Sequence, residues 1–229
     1  MSLLVAESES AVVASRPRTV ADLLHELGQI SAERVRLQPA PGTATEEDLL
    51  RTQCCELIDG TLVELAMGFF ESRLAVVLAF QFEQYLRSNP IGFTVGADAY
   101  TRLEGVGIQF PDVAVHLWER HRQRQVPMVS VTEVLPSLAV EVISVGNTRA
   151  EMLRKQQEFL ERGTELFWLC DPRKQTVEVT DAHGNTTVLG WDDVLTGEPV
   201  LPGFQLKVSD WFARSETAPP PDSQPSQSH

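Results

Sequence analysis

The sequence predicts a mixed α/β fold, a β-sheet flanked by helices, on three observations. Asp59-Gly60 lies between two β-like runs, the dipeptide that supplies positive φ for a tight hairpin. Ser72 to Ser88 repeats apolar residues at helical spacing. Leu138 to Ser144, Thr148 to Arg162 and Leu166 to Cys170 read as strand, helix and strand.

The chain of 229 residues carries a formal net charge of −13. By size and composition it is one domain, 18–213, with disordered tails at 1–17 and at 214–229, the second rich in Pro and Ser. Its acidity argues against coating nucleic acid through charge alone, although a local basic groove is compatible with it. The longest apolar run, Leu74 to Phe80, is far short of the roughly 20 residues a membrane span needs. The start of the chain has no basic leader, so a cytoplasmic protein is expected. Cys54, Cys55 and Cys170 spell neither a disulfide framework nor a zinc site, and are expected as packing residues. No two of the five histidines have the i, i+4 spacing of a helical metal pair.

In chain order, a short amphipathic helix is expected from Val20 to Leu27, then a Pro/Gly-bearing connection and a helical turn at Glu46 to Thr52. The hairpin spans Cys55 to Ala66. The long helix sets Leu74, Val77, Leu78, Gln81, Phe82 and Tyr85 on one face, and Asn89-Pro90 ends it. Strands are expected at Phe93 to Leu103 and Val113 to Leu117. After the strand-helix-strand unit, Thr176 to Thr180 and Thr186 to Leu189 form a hairpin, and the chain closes with LPGF and an apolar SDWFA segment.

Glu141 is the most informative residue. Both alternating sets of its strand are apolar, as in a strand covered on two faces, so its carboxylate must be paired, metal-bound or protonated. An ordinary ion pair with Arg149 would also satisfy it. Asp112, after Pro111 in FPDVAV, stands 29 positions earlier, room enough for two neighbouring strands to bring the carboxylates together. Two oxygen donors with open positions suit Mg²⁺ or Mn²⁺. Lys155 falls on the flank of a helix whose packed stripe is Met152, Leu153, Phe159 and Leu160, where it can extend its stem along the sheet toward the acids. Alternatively, it forms an i, i+4 pair with Glu151.

Taken in order, CELIDGTLVE, MGFFESRLAVVL, FPDVAV, LAVEVISVGNTRAEMLRKQQEFLERG, LFWLCDP and LPGF resemble the Uma family of putative restriction endonucleases, within the PD-(D/E)XK nuclease superfamily. The resemblance runs from about Val20 to Ala213 and implies a restriction-endonuclease-like mixed sheet. It implies that Asp112 and Glu141 hold the metal with the Val142 carbonyl, and that Lys155 takes the place of the superfamily lysine, since Ile143 occupies that motif position. Glu56 matches a further family acid, and Glu71 is implied as an outer partner of the metal. Each also has a plainer role, Glu56 in a hairpin ion pair and Glu71 in a helix first turn.

The implied activity is metal-dependent hydrolysis of phosphodiesters, with DNA as the expected substrate, weakly and salt-dependently bound. ERHRQRQ at 119–125 is the one concentrated basic stretch; it could follow a phosphate backbone, or be an ordinary solvated loop. The rival reading is a catalytically idle nuclease-fold module that binds a protein or a DNA end. A homodimer suits cutting both strands of a duplex, though the sequence does not show one.

Overall fold

The computed structural model describes residues 19–52, 54–66 and 68–217. The tail expected at 1–17, and 218–229 of the tail expected at 214–229, lie outside them. The lead-in holds α1 (Val20–Glu26), a 3₁₀ turn at Ala32–Arg34 and α2 (Glu46–Arg51). Thr19 and Thr45 begin the two helices as capping boxes, with Asp22 and Asp48 returning the bond. The hairpin follows as β1 (Cys55–Ile58) and β2 (Thr61–Glu64), Asp59 and Gly60 supplying φ of 45° and 68°.

Helix α3 (Phe69–Ser88) buries Leu74, Val77, Leu78, Phe82 and Leu86. Then come β3 (Gly92–Gly96), β4 (Thr101–Leu103), β5 (Gly107–Gln109), β6 (Val113–Leu117), β7 (Leu138–Val142), α4 (Arg149–Glu161), β8 (Leu166–Asp171), β9 (Thr176–Asp181) and β10 (Thr186–Leu189). A ribbon of β11 (Val194–Gly197) and β12 (Leu201–Lys207) leads into α5 (Val208–Glu216).

The central sheet has the order β10-β9-β8-β7-β6-β3, in which β7 and β8 pair in parallel and the other neighbours pair antiparallel. A second sheet has the order β2-β1-β5-β4. Strand β7 is buried throughout. Leu138, Val140 and Val142 join the core beneath α3, while Ala139 joins Met152 and Phe159 of α4 on the opposite face. That alternation places Glu141 on the α4 face.

Several expectations need correction. The strand expected over Phe93 to Leu103 is two strands in different sheets. Gly96 ends β3, Asp98 turns the chain with φ of 71°, and β4 joins the second sheet beside β5. Strands β5 and β11, of three and four residues, were too short to show periodicity. The long helix starts at Phe69 rather than Ser72, and α5 carries the fold through Arg214, Ser215 and Glu216, residues expected in the tail. Cys55 and Cys170 are buried, but Cys54 is exposed and does not pack. Among the described residues no helix is long and apolar enough to cross a membrane.

Candidate active site

Antiparallel pairing of β6 with β7 sets Val113 opposite Val140, which brings Asp112, one residue before β6, to the end of β7 that carries Glu141. Asp112 Oδ2 accepts the Val142 N–H at 2.7 Å. The N–H and C=O of one strand residue point the same way, so the Val142 carbonyl also faces β6. Two places beyond the Val113–Val140 pair it meets Pro111, whose nitrogen has no hydrogen to donate.

Lys155 crosses from α4 to the same place. Its Nζ lies 2.6 Å from Glu141 Oε1 and 2.7 Å from Glu56 Oε1, and donates to the Phe110 carbonyl at 2.7 Å. The Phe110 N–H closes the arrangement by donating to Glu56 Oε1 at 3.2 Å. Glu56, Glu141 and Lys155 are 5%, 6% and 4% exposed, so water screens these charges little. Lys155 is not on the flank of its helix. The buried face of α4 is Glu151, Met152, Lys155 and Phe159, and Leu153, expected in the stripe, is exposed.

The plainer pairings do not occur. Arg149 clamps Glu178 with two bonds of 2.7 and 2.6 Å instead of Glu141. Glu151 takes Arg34 at 2.9 and 2.7 Å and caps its own helix through Thr148, leaving Lys155 to the acids. Glu56 forms its ion pair with Lys155 rather than across the hairpin.

The charges do not balance. Three carboxylates, Glu56, Asp112 and Glu141, surround one ammonium. Burial pushes the Asp112 carboxyl up, the Val142 N–H and Lys155 offset part of this, and Glu56 and Glu71 add to it. Burial likewise raises Glu141 well above the usual carboxylate range, against the pull of Lys155 and with repulsion from Asp112 and Glu56. Burial opposes the charge on Lys155, but Glu141 and Glu56 outweigh it and hold the group above the ordinary lysine value. Glu141 Oε1, although in ion-pair contact with Lys155, is buried without a well-directed hydrogen bond.

A cavity of about 230 Å³ opens onto these groups, bounded by α3, the ends of β3, β6 and β7, and the first turns of α4. Glu71 lines it. Its carboxylate lies close against Gly68, where a Cβ would stand 1.9 Å from Glu71 Oε2. Arg34, Asn147 and Glu151 also line the cavity and had not been anticipated. The capping-box spacing Thr148-Arg149-Ala150-Glu151 was the available signal for Glu151, whereas nothing local marks Arg34. Its charged lining comprises Glu56, Glu71, Asp112, Glu141 and Glu151 against Arg34 and Lys155.

The basic stretch at 119–125 is not there. It follows the Leu117 end of β6, at the opposite end of the strand from Asp112. Arg120 is held by Glu165 and the Gly163 carbonyl, and His121 is buried against His116. Among the described residues no group of three His, Cys, Asp or Glu side chains is arranged to hold a metal ion. The residues therefore do not form a full protein cage. Their two converging carboxylates, unbalanced negative charge and poorly satisfied Glu141 oxygen do fit a hard divalent cation that keeps most of its waters.

The fold has a counterpart in the crystal structure of a putative nuclease belonging to DUF820 from Anabaena variabilis ATCC 29413, with a TM-score of 0.65 at 20% identity over 72% of this chain and 96% of that one. At that identity the likeness concerns the fold. No curated protein sequence matches the chain. The model of the Uma2 family, described as "Putative restriction endonuclease", matches residues 47–209, a span that holds Glu56, Asp112, Glu141 and Lys155 together with both sheets, and the chain belongs to that family.

Proposed function

We propose that the protein is a divalent-metal-dependent endonuclease that hydrolyses phosphodiester bonds, with DNA as substrate. The observation that carries this reading is the buried meeting of Lys155 with Glu141 and Glu56 beside Asp112, in a cleft where carboxylates outnumber cations. Asp112, Glu141 and the Val142 carbonyl would hold Mg²⁺ or Mn²⁺, with Glu71 reaching it through water. Such an ion supplies a Lewis acid and lowers the pKa of a bound water toward neutrality.

The chain's own groups have separate tasks. The Val142 N–H fixes the Asp112 carboxylate, so that its other oxygen faces the cleft in one orientation. Lys155 retains its proton and gives a fixed positive charge where negative charge builds on a phosphoryl group. Glu56 and the Phe110 carbonyl keep that ammonium from collapsing wholly onto Glu141.

The acidic lining favours a second reading, an idle module, because a polyanion cannot enter five carboxylates and two cations unaided. The two separate in one experiment. Mn²⁺ binding is measured by calorimetry for the wild type, Asp112→Asn and Glu141→Gln, followed by metal-dependent nicking of supercoiled plasmid. The nuclease reading expects binding and nicking by the wild type and neither by the variants. Wild-type protein that binds no Mn²⁺ and nicks nothing would leave the idle module.

A further inference from the structure

We infer that the outward face of α3 is a self-association surface that receives α3 of a second copy of this chain, antiparallel, about a two-fold axis at the level of Leu78. Opposite its buried stripe the helix presents Phe69, Arg73, Val76, Phe80, Glu83 and Arg87, all exposed, with Arg73, Val76 and Phe80 edging a groove beside the end of α5, where Arg73 donates one bond to the Arg214 carbonyl at 3.3 Å. Phe69 is 95% exposed, Val76 58% and Phe80 56%, three large apolar side chains in line on one face of the helix. The six positions are spaced 4-3-4-3-4, the seam of a coiled coil running most of the helix.

The seam is complementary to itself in one direction only. In an antiparallel pair centred on Leu78, residues whose numbers sum to 156 face one another. Val76 then meets Phe80, Arg73 meets Glu83 and Phe69 meets Arg87, each twice. The layers are apolar on apolar, cation on anion, and guanidinium on aromatic ring. A parallel pair would set Arg73 on Arg73 and Glu83 on Glu83, and is disfavoured by its own charges. Glu83 is already held in place, its Oε1 accepting the Thr94 N–H at 2.9 Å, which leaves its second oxygen for the partner. The charge complementarity therefore selects a second copy as the occupant.

The dimer does not depend on the nuclease reading. Its consequence for catalysis does. Glu71 in the cleft and its mate would stand 14 residues apart along the paired helices, about 21 Å at 1.5 Å per residue. Two clefts related by one two-fold axis suit cutting both strands of a duplex.

The test is sedimentation of the full chain across a concentration series. The wild type is expected to dimerise. Arg73→Glu and Glu83→Arg should each weaken the dimer by about tenfold or more, since each creates two symmetric repulsions. The double variant restores opposite charges in reverse and should return to within about threefold of wild type. Far-UV circular dichroism and thermal unfolding of each exposed-site variant distinguish weakened association from misfolding. A wild type that stays monomeric throughout, or a dimer indifferent to both single reversals, overturns the proposal. So does a monomer that dimerises only when residues 1–18 or 218–229 are removed, which would assign the face to the chain's own ends.

Discussion

Replacing Lys155 with methionine tests the charge balance of the cleft directly. Methionine keeps an unbranched stem of similar length, so the change removes an ammonium more than it opens a void. That ammonium touches Glu141 at 2.6 Å and Glu56 at 2.7 Å, with all three groups almost wholly buried. Removing one partner of a buried pair costs about 3–5 kcal/mol, because the charge left behind has neither water nor counter-ion. For a domain near 200 residues, with about 2–4 °C per kcal/mol, the melting temperature should fall by roughly 6–20 °C.

The pH dependence has a definite sign. Asp112 and Glu141 already sit above their ordinary values when folded, so their contribution is fully present below those values and is lost as pH rises through the raised ones. Without Lys155 they rise further. The deficit of Lys155→Met should therefore be largest at pH 8 and shrink toward pH 5. Lys155 itself is fully charged across this window, since its stabilisation is lost only above the ordinary lysine value. Urea unfolding followed by tryptophan fluorescence in chelator, at pH 5, 6.5 and 8, measures this. Adding Glu141→Gln to Lys155→Met should recover part of the loss. A single variant within about 1 kcal/mol of wild type at pH 8 would refute the account of Lys155 as the counter-charge of the cleft.

Glu141→Gln alone, in chelator, should be more stable than wild type at pH 8 and should lose the stabilisation Mn²⁺ gives, as read by paired melts. A purely structural ion pair predicts the opposite sign. Asp112→Asn should keep the fold, because its amide oxygen still accepts the Val142 N–H, while calorimetry shows Mn²⁺ binding lost. Arg34→Met should lower stability by about 3 kcal/mol at pH 7, since it strips the buried Glu151 of two bonds. Arg34 and its neighbours outweigh the burial that would raise Glu151 and hold that carboxyl below its usual value, so the Arg34 contribution should fade as pH falls through the lowered value in an unfolding series. His116 is held down at about 4 by burial, with His121 and Arg120 contributing. The His116 contribution should fall as pH drops from 6.5 toward 4, opposite in sign to the gain from Asp112 and Glu141, so His116→Phe should lose less stability than wild type over that limb in the same unfolding series.

What the sequence disclosed follows from the range of the forces involved. The Asp59-Gly60 turn, the α3 stripe and the capped α4 are determined by neighbours within a few positions, and all were legible. The division of Phe93 to Leu103 between two sheets was not, because Gly96 and Asp98 signal a bend but not which sheet receives the next strand. Asp112 and Glu141 could be placed together because one antiparallel step joins them. The remaining cleft contacts reach further along the chain. Arg34 and Glu151 are 117 positions apart, and Glu56 and Lys155 are 99 apart. No periodicity links such pairs. The place of the basic run at 119–125 relative to the cleft was likewise not legible, since it depends on the direction of β6, which carries it to the end of the strand away from Asp112.

The position of the lysine has a geometric explanation. Ala139 and Glu141 alternate onto one face of β7, and Ile143, the first residue after the strand, packs partly buried against the cluster that includes Met152 and Phe159 of α4. A lysine in place of Ile143 would have to turn back along the strand, over about 6.8 Å, to meet Glu141. Helix α4 covers the same face. Its buried positions Met152, Lys155 and Phe159 are spaced i, i+3, i+7, so Lys155 looks down onto Glu141 between two apolar anchors. From there one lysine reaches Glu141, Glu56 and the Phe110 carbonyl together, drawing α4, β7 and the second sheet to a single point. With Ile143 completing the apolar packing and Lys155 delivering the charge, the face accommodates an ammonium without breaking the core. The exchange Ile143→Lys with Lys155→Ile therefore should not restore the stability lost in Lys155→Ile alone, as urea unfolding would show. The substitution on α4 leaves Glu56 unpaired, and the substitution after β7 replaces an apolar contact with the cluster around Phe159 by an amine.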